Sequence, residues 1–199
     1  MKVKICGLTH SEDAFYAAEL GADFIGILFA PSSKRYVSSS QAKEIVDAAK
    51  KGGAEPVGVF VDETAEEIFK ICLETGIKTL QLHGALSKQA FSLLNPYYQI
   101  IYTVPTTQPI TPSSKNIFLF DHSTGGSGKM FNWKNFSPPK NTKWILAGGL
   151  NPSNVSAAIK LLHPYGVDVA TGVEYAFSTR KNPILVKAFI QNAKQSGGL

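Results

Sequence analysis

The sequence predicts an α/β protein built as a single (β/α)8 barrel, a TIM barrel. Eight short apolar runs, with little polar alternation, recur between segments of helical periodicity along the 199 residues. Runs apolar on both faces suit a parallel sheet covered by helices. Eight such units favour closure over an open sheet. A doubly wound open sheet is the weaker alternative. The turn after the first strand, Cys6-Gly7-Leu8-Thr9, lacks the GxGxxG spacing of that fold. About 25 residues per unit is lean for a barrel.

Val3–Cys6 reads as the first strand, closed by Gly7. Thr9–Asp13 starts a helix, with acids placed well for its positive N-terminus, and Gly21 ends it. Phe24–Phe29 is the second strand, Pro31–Tyr36 a polar loop and Ser40–Lys51 the second helix. Pro56–Val61 and Thr64–Thr75 form the third unit, Lys78–Leu82 and Ser87–Leu94 the fourth. Tyr98–Val104 is the fifth strand, and three prolines in Pro105–Ser114 oppose a regular fifth helix. Ile117–Asp121 is the sixth strand, followed by room for only a turn or so of helix at Asn132–Phe136. Lys143–Ala147 and Pro152–Leu162 form the seventh unit, with proline tolerated in the first turn. Val167–Ala170 and Pro183–Gln195 complete the eighth. The organisation expected is one domain over 1–199.

Composition is ordinary for a globular protein, with 44% hydrophobic and 18% charged residues. The charge is uneven. Residues 1–100 hold 10 basic and 12 acidic side chains, whereas residues 101–199 hold 10 basic and 3 acidic. A positive second half favours an anionic ligand there. Nucleic acid is not expected, because no basic run is interleaved with aromatics. Two cysteines, Cys6 and Cys72, form no CxxC pair, which disfavours zinc. Without a signal peptide or a bilayer-length apolar run, a cytoplasmic protein with no membrane association is expected.

In a barrel the residues closing the strands share one face. Here they are Cys6, Phe29, Phe60, His83, Thr103, Asp121, Gly148-Gly149 and Thr171-Gly172. Cysteine, histidine and aspartate at one mouth are groups suited to acid–base chemistry. Asp121 is followed by a Gly- and Ser-rich stretch containing Gly125, Gly126 and Gly128, the composition of a loop that closes over a ligand. Gly148-Gly149-Leu150-Asn151-Pro152 and Thr171-Gly172-Val173 follow strands seven and eight. Barrels frequently bind phosphate there, through backbone N–H groups. Two tight turns needing glycine for geometry are the plainer alternative.

Seven motifs in order give the chain a resemblance. They are Lys4-Ile5-Cys6-Gly7, Ser33-Lys34-Arg35-Tyr36, Val57-Gly58-Val59-Phe60, Leu80-Gln81-Leu82-His83-Gly84, Gly125-Gly126-Ser127-Gly128-Lys129, Gly148-Gly149-Leu150-Asn151-Pro152 and Gly172-Val173-Glu174. Through them the chain resembles the phosphoribosylanthranilate isomerases of tryptophan biosynthesis. The resemblance implies a (β/α)8 barrel that performs an Amadori rearrangement with no cofactor and no metal; the sequence is compatible with a monomer or a homodimer. It implies N-(5-phosphoribosyl)anthranilate as the substrate, Asp121 as general acid and Cys6 as general base. It further implies Arg35 at the anthranilate carboxylate, His83 at the ligand or in a strand-end hydrogen bond, and the backbone of Gly149, Leu150, Gly172 and Val173 at the phosphate. The chain departs from the family's usual pattern at Tyr175–Pro183, which replaces a Pro-Gly-Lys-Lys-Asp segment, and at Phe131-Asn132-Trp133. Another phosphate-handling barrel isomerase and a catalytically silent metabolite-binding barrel are the rival readings.

Overall fold

In this computed structural model, eight strands pair in sequence order and close, each parallel to its neighbours. The structure describes residues 1–108, 110, 115–121, 133–137 and 139–197. The strands are β1 (Lys2–Cys6), β2 (Phe24–Leu28), β3 (Glu55–Phe60), β4 (Thr79–Leu82), β5 (Gln99–Pro105), β6 (Ile117–Asp121), β7 (Trp144–Leu146) and β8 (Gly166–Val169). The helices are α1 (Ser11–Glu19), α2 (Ser39–Lys51), α3 (Ala65–Thr75), α4 (Ala85–Gln89), α5 (Phe91–Leu94), α6 (Val155–Leu162) and α7 (Pro183–Ser196).

Local chemistry accounts for most helix boundaries. Ser38 and Thr64 each make a reciprocal capping box, with Gln41 and Glu67, which satisfies donors at the starts of α2 and α3. Asn182 caps α7 by accepting from Ile184 and Leu185, with Pro183 at the first helical position. Gly76 ends α3 in the left-handed conformation, φ 70°.

Two helices depart from the expected spans. The continuous fourth helix is instead α4 and α5, broken at Ala90. Ser87 is the cause: its Oγ donates to Phe60 O at 3.1 Å and its N–H to Val61 O at 3.3 Å, tying the helix to the end of β3. The junction then closes through an i→i−3 bond, Ala90 N–H to Ser87 O. The seventh helix begins at Val155, three residues past Pro152. Asn151 makes the intervening turn, its Oδ1 accepting from Ser153 and Asn154. Half of the fifth segment, residues 109 and 111–114, lies outside the described residues; in the sixth, Trp133–Asn135 is one 3-10 turn.

The period-2 alternation of strand side chains divides the core in two. One set packs between strands and helices, including Val3, Ile5, Phe60 and Leu80. The other fills the barrel axis: Val57, Ile101, Ile117, Leu119, Ile145 and Ala147. Phe29 and Phe60, expected at the mouth, belong to the first set. Their rings stack at 5.2 Å and 11°, and they face the helix layer. Trp144 packs in an aromatic cluster with Phe120 and Phe136, at 6.0 and 5.5 Å. Cys72 is buried in α3, its thiol pushed up to about 12 by burial. Among the described residues no helix is long and apolar enough to cross a membrane.

Candidate active site

Above the apolar axis, the inward positions of the strands change character. On β1, Lys4 and Cys6 share the inward face. On β8 and β6 the inward carboxylates are Asp168 and Asp121, and β4 continues to Gln81 and then His83. All of these except the fully buried Lys4 line a cavity of about 310 Å³, which Arg35 also lines. A second cavity, of about 200 Å³, adjoins it. Gly148, Gly149, Leu150, Thr171 and Gly172 line the second, and Arg35, Asp121, Asp168 and Ala170 are common to both. The site is therefore bipartite, with titratable groups in one lobe and glycine-rich backbone in the other.

The backbone lobe has the geometry glycine permits. Gly148 and Gly149 take φ 89° and 65°. Asn154 ties the turn by donating from Nδ2 to Gly149 O at 3.0 Å. A Cβ on Gly172 would collide with the Leu150 carbonyl, so the two loops pack backbone to backbone. Among the described residues, the N–H groups of Gly149 and Leu150 donate to no backbone carbonyl.

Cys6, Asp121, Arg35 and His83, four residues the sequence singles out, meet in one cavity. Gly149, Leu150 and Gly172 meet in the other. Val173 lines neither, because its side chain is buried in the strand–helix core. Thr103 points into the barrel axis beneath the cavity and is 4% exposed. Gly125, Gly126 and Gly128 lie outside the described residues. Burial lowers the His83 imidazole, opposed by the Asp121 charge. The backbone N–H of His83 donates to Phe60 O at 2.8 Å, which holds the residue at the cavity. Burial pushes the Cys6 thiol up, while Lys4 pulls against it.

The Arg35 fork is closed on the chain's own carboxylate. Nε donates to Glu174 Oε1 at 2.6 Å, and Nη2 to Glu174 Oε2 at 3.0 Å and Thr171 Oγ1 at 2.8 Å. Lys181 joins at 2.9 Å to Glu174 Oε1 and also donates to Ala170 O. Burial alone would raise the Glu174 carboxyl, but Arg35 and Lys181 outweigh it and hold the group below its ordinary value. The divergent segment after Glu174 is a small hairpin, bridged at Glu174 and Lys181 with Tyr175 N–H donating to Arg180 O. Arg180 pins it to the start of α1 by bonds of 3.0 and 2.9 Å to Asp13.

Lys4, Gln81, Asp168, Glu174 and Lys181 escaped the sequence reading as site residues. Lys4 and Asp168 had a usable signal, being charges set inside apolar strands. All three carboxylates of the second half of the chain, Asp121, Asp168 and Glu174, are at this site.

A closed eight-stranded barrel with a cavity of titratable groups at the carboxyl ends of its strands defines a (β/α)8-barrel enzyme. Residues 3–192 match the family described as N-(5'phosphoribosyl)anthranilate (PRA) isomerase. The chain belongs to that family. It is 56% identical over 203 residues to the N-(5'-phosphoribosyl)anthranilate isomerase of Chlamydia caviae, covering 99% of this chain and 98% of the relative. The phosphoribosyl anthranilate isomerase of Thermus thermophilus superposes with a TM-score of 0.86 at 31% identity, over 98% of this chain and 99% of that one. A further solved isomerase, in complex with reduced 1-(o-carboxyphenylamino)-1-deoxyribulose 5-phosphate, has a TM-score of 0.79 at 32% identity, over 98% and 99%.

Proposed function

We propose that the bipartite cavity converts N-(5-phosphoribosyl)anthranilate to 1-(2-carboxyphenylamino)-1-deoxyribulose 5-phosphate, with Asp121 as general acid and Cys6 as general base. The observation that carries this reading is the shared cavity. Residues 6 and 121, on β1 and β6, line one space that opens directly into a glycine-rich lobe.

The chemistry follows from that placement. Asp121 gives its proton to the furanose ring oxygen, the C1–O bond breaks, and the anthranilate nitrogen becomes a Schiff base. Cys6, as thiolate, takes the proton from sugar C2, and the electron pair moves into the C1–C2 bond to neutralise the iminium nitrogen. The resulting enolamine tautomerises to the ketone. No step calls for a metal or cofactor.

The two lobes divide the binding. The phosphate sits against the backbone at Gly149-Leu150 and Gly172-Val173, where N–H groups and left-handed glycines suit an anion. Arg35 walls both lobes and meets the anthranilate carboxylate with the edge of its guanidinium turned away from Glu174. His83 contacts the ribosyl part. The whole chain acts as one catalytic barrel, alone or as a homodimer.

The test is fluorescence-monitored consumption of N-(5-phosphoribosyl)anthranilate by the purified protein, with the histidine-pathway aminoaldose alongside. Turnover of the anthranilate compound is expected. Turnover of the aminoaldose alone would replace this substrate with the other.

A further inference from the structure

Lys4 is 0% exposed, at the centre of the barrel, on the strand and face that carry Cys6. An isolated ammonium in such a place is costly, and an apolar residue of similar volume would serve stability as well or better. Its ion-pair partner is Asp168, whose Oδ1 lies 3.0 Å from Nζ. The two residues are also register partners on adjacent strands. Lys4 and Cys6 are about 7 Å apart along β1, within reach of a lysine side chain. On β2, the missing side chain of Gly26 leaves the space the Cys6 sulfur occupies: a Cβ there would stand 2.6 Å from it.

We propose that Lys4, anchored by Asp168, is a positioning residue whose ammonium stabilises the Cys6 thiolate. The inference rests on the reading of Cys6 as the base and supplies what that reading lacks. A thiol buried in a barrel resists ionisation, and a fixed cation beside it is the standard physical remedy.

The other charged groups around Cys6 do not replace Lys4. Lys181, ahead of α7, acts on the thiol in the same direction but more weakly, and its Nζ is bonded to Glu174 and Ala170. Asp168, from β8, opposes ionisation. Asp121, His83 and Arg35 line the same cavity as Cys6, and none of them is on its strand. Lys4 and Asp168 are thus partners to each other and opponents at Cys6.

That opposition yields a signed test. Alkylation of Cys6 by iodoacetamide, read by peptide mass spectrometry as a function of pH, reports thiolate formation in the folded protein. Lys4→Met should move the alkylation midpoint upward by about one pH unit or more. Its kcat at neutral pH should fall about tenfold and recover as pH rises. Asp168→Asn should move the midpoint downward, because Lys4 then has the thiolate as its nearest anion. A salt bridge that merely held the fold together would shift neither midpoint. An unmoved midpoint in Lys4→Met, or both variants moving the same way, overturns the proposal. Should Lys4→Met not fold, the downward shift in Asp168→Asn is still required, and its absence is decisive. Midpoints moving as expected while Cys6→Ser keeps full turnover would leave the Lys4 inference standing and remove the base role instead.

Discussion

Gly26 on β2 abuts Cys6 on β1: a Cβ built on Gly26 would stand 2.6 Å from the Cys6 sulfur. No side chain fits there without displacing the thiol. Gly26→Ala should therefore lower kcat by about 100-fold, the order expected for a displacement near 1 Å at a reacting group. KM should change little, because the phosphate lobe is untouched. Steady-state kinetics on the variant decide this, and an unchanged kcat would place the sulfur's position outside the chemistry.

Gly172 is the corresponding contact in the other lobe. A Cβ there meets the Leu150 carbonyl. Gly172→Ala should part the two loops and weaken phosphate binding. KM should rise about tenfold or more, with kcat falling less. Competitive inhibition by inorganic phosphate should weaken in parallel.

Glu174 neutralises two buried cations. With side-chain exposures of 10%, 3% and 2% for Arg35, Glu174 and Lys181, the cluster is nearly dry. Glu174→Gln leaves both cations without their charge partner and should cost about 3 kcal/mol in urea unfolding. The pH dependence has a definite sign. Arg35 and Lys181 hold the folded carboxyl below its ordinary 4.5, so its contribution is present above that pH and lost as pH falls below it. The wild-type urea midpoint should drop as the solution is acidified below about 4.5. The Glu174→Gln variant should lack that component.

Thr64 provides a control remote from the site. Its capping box with Glu67 is worth about 1 kcal/mol. Thr64→Ala should lose that much stability and leave kcat and KM unchanged.

Much of this was legible in the sequence. Eight apolar runs interrupted by glycine-stopped helical segments predicted the closed barrel, and β6 runs over Ile117–Asp121 as read. Cys6 and Asp121 stood out because they end strands. The misses have physical causes. Lys4 and Asp168 are charges inside apolar strands, a signal that something holds each of them, but which residue pairs with which emerges only from the register of β1 and β8. The ion-pair cluster at Glu174 joins residues 139 positions apart to Arg35, a contact no local pattern encodes. Phe29 and Phe60 end their strands, yet strand parity turns them to the helix layer. A one-residue shift turns a side chain to the other face. The break at Ala90 depends on a tertiary bond from Ser87 to the end of β3.

The most direct measurement is the turnover of Cys6→Ser and Asp121→Asn beside the affinity of each for the reduced product analogue. Both variants should lose kcat by about 100-fold or more while binding the analogue within about threefold of wild type. Wild-type kcat in either one would contradict the assignment of that residue as acid or base.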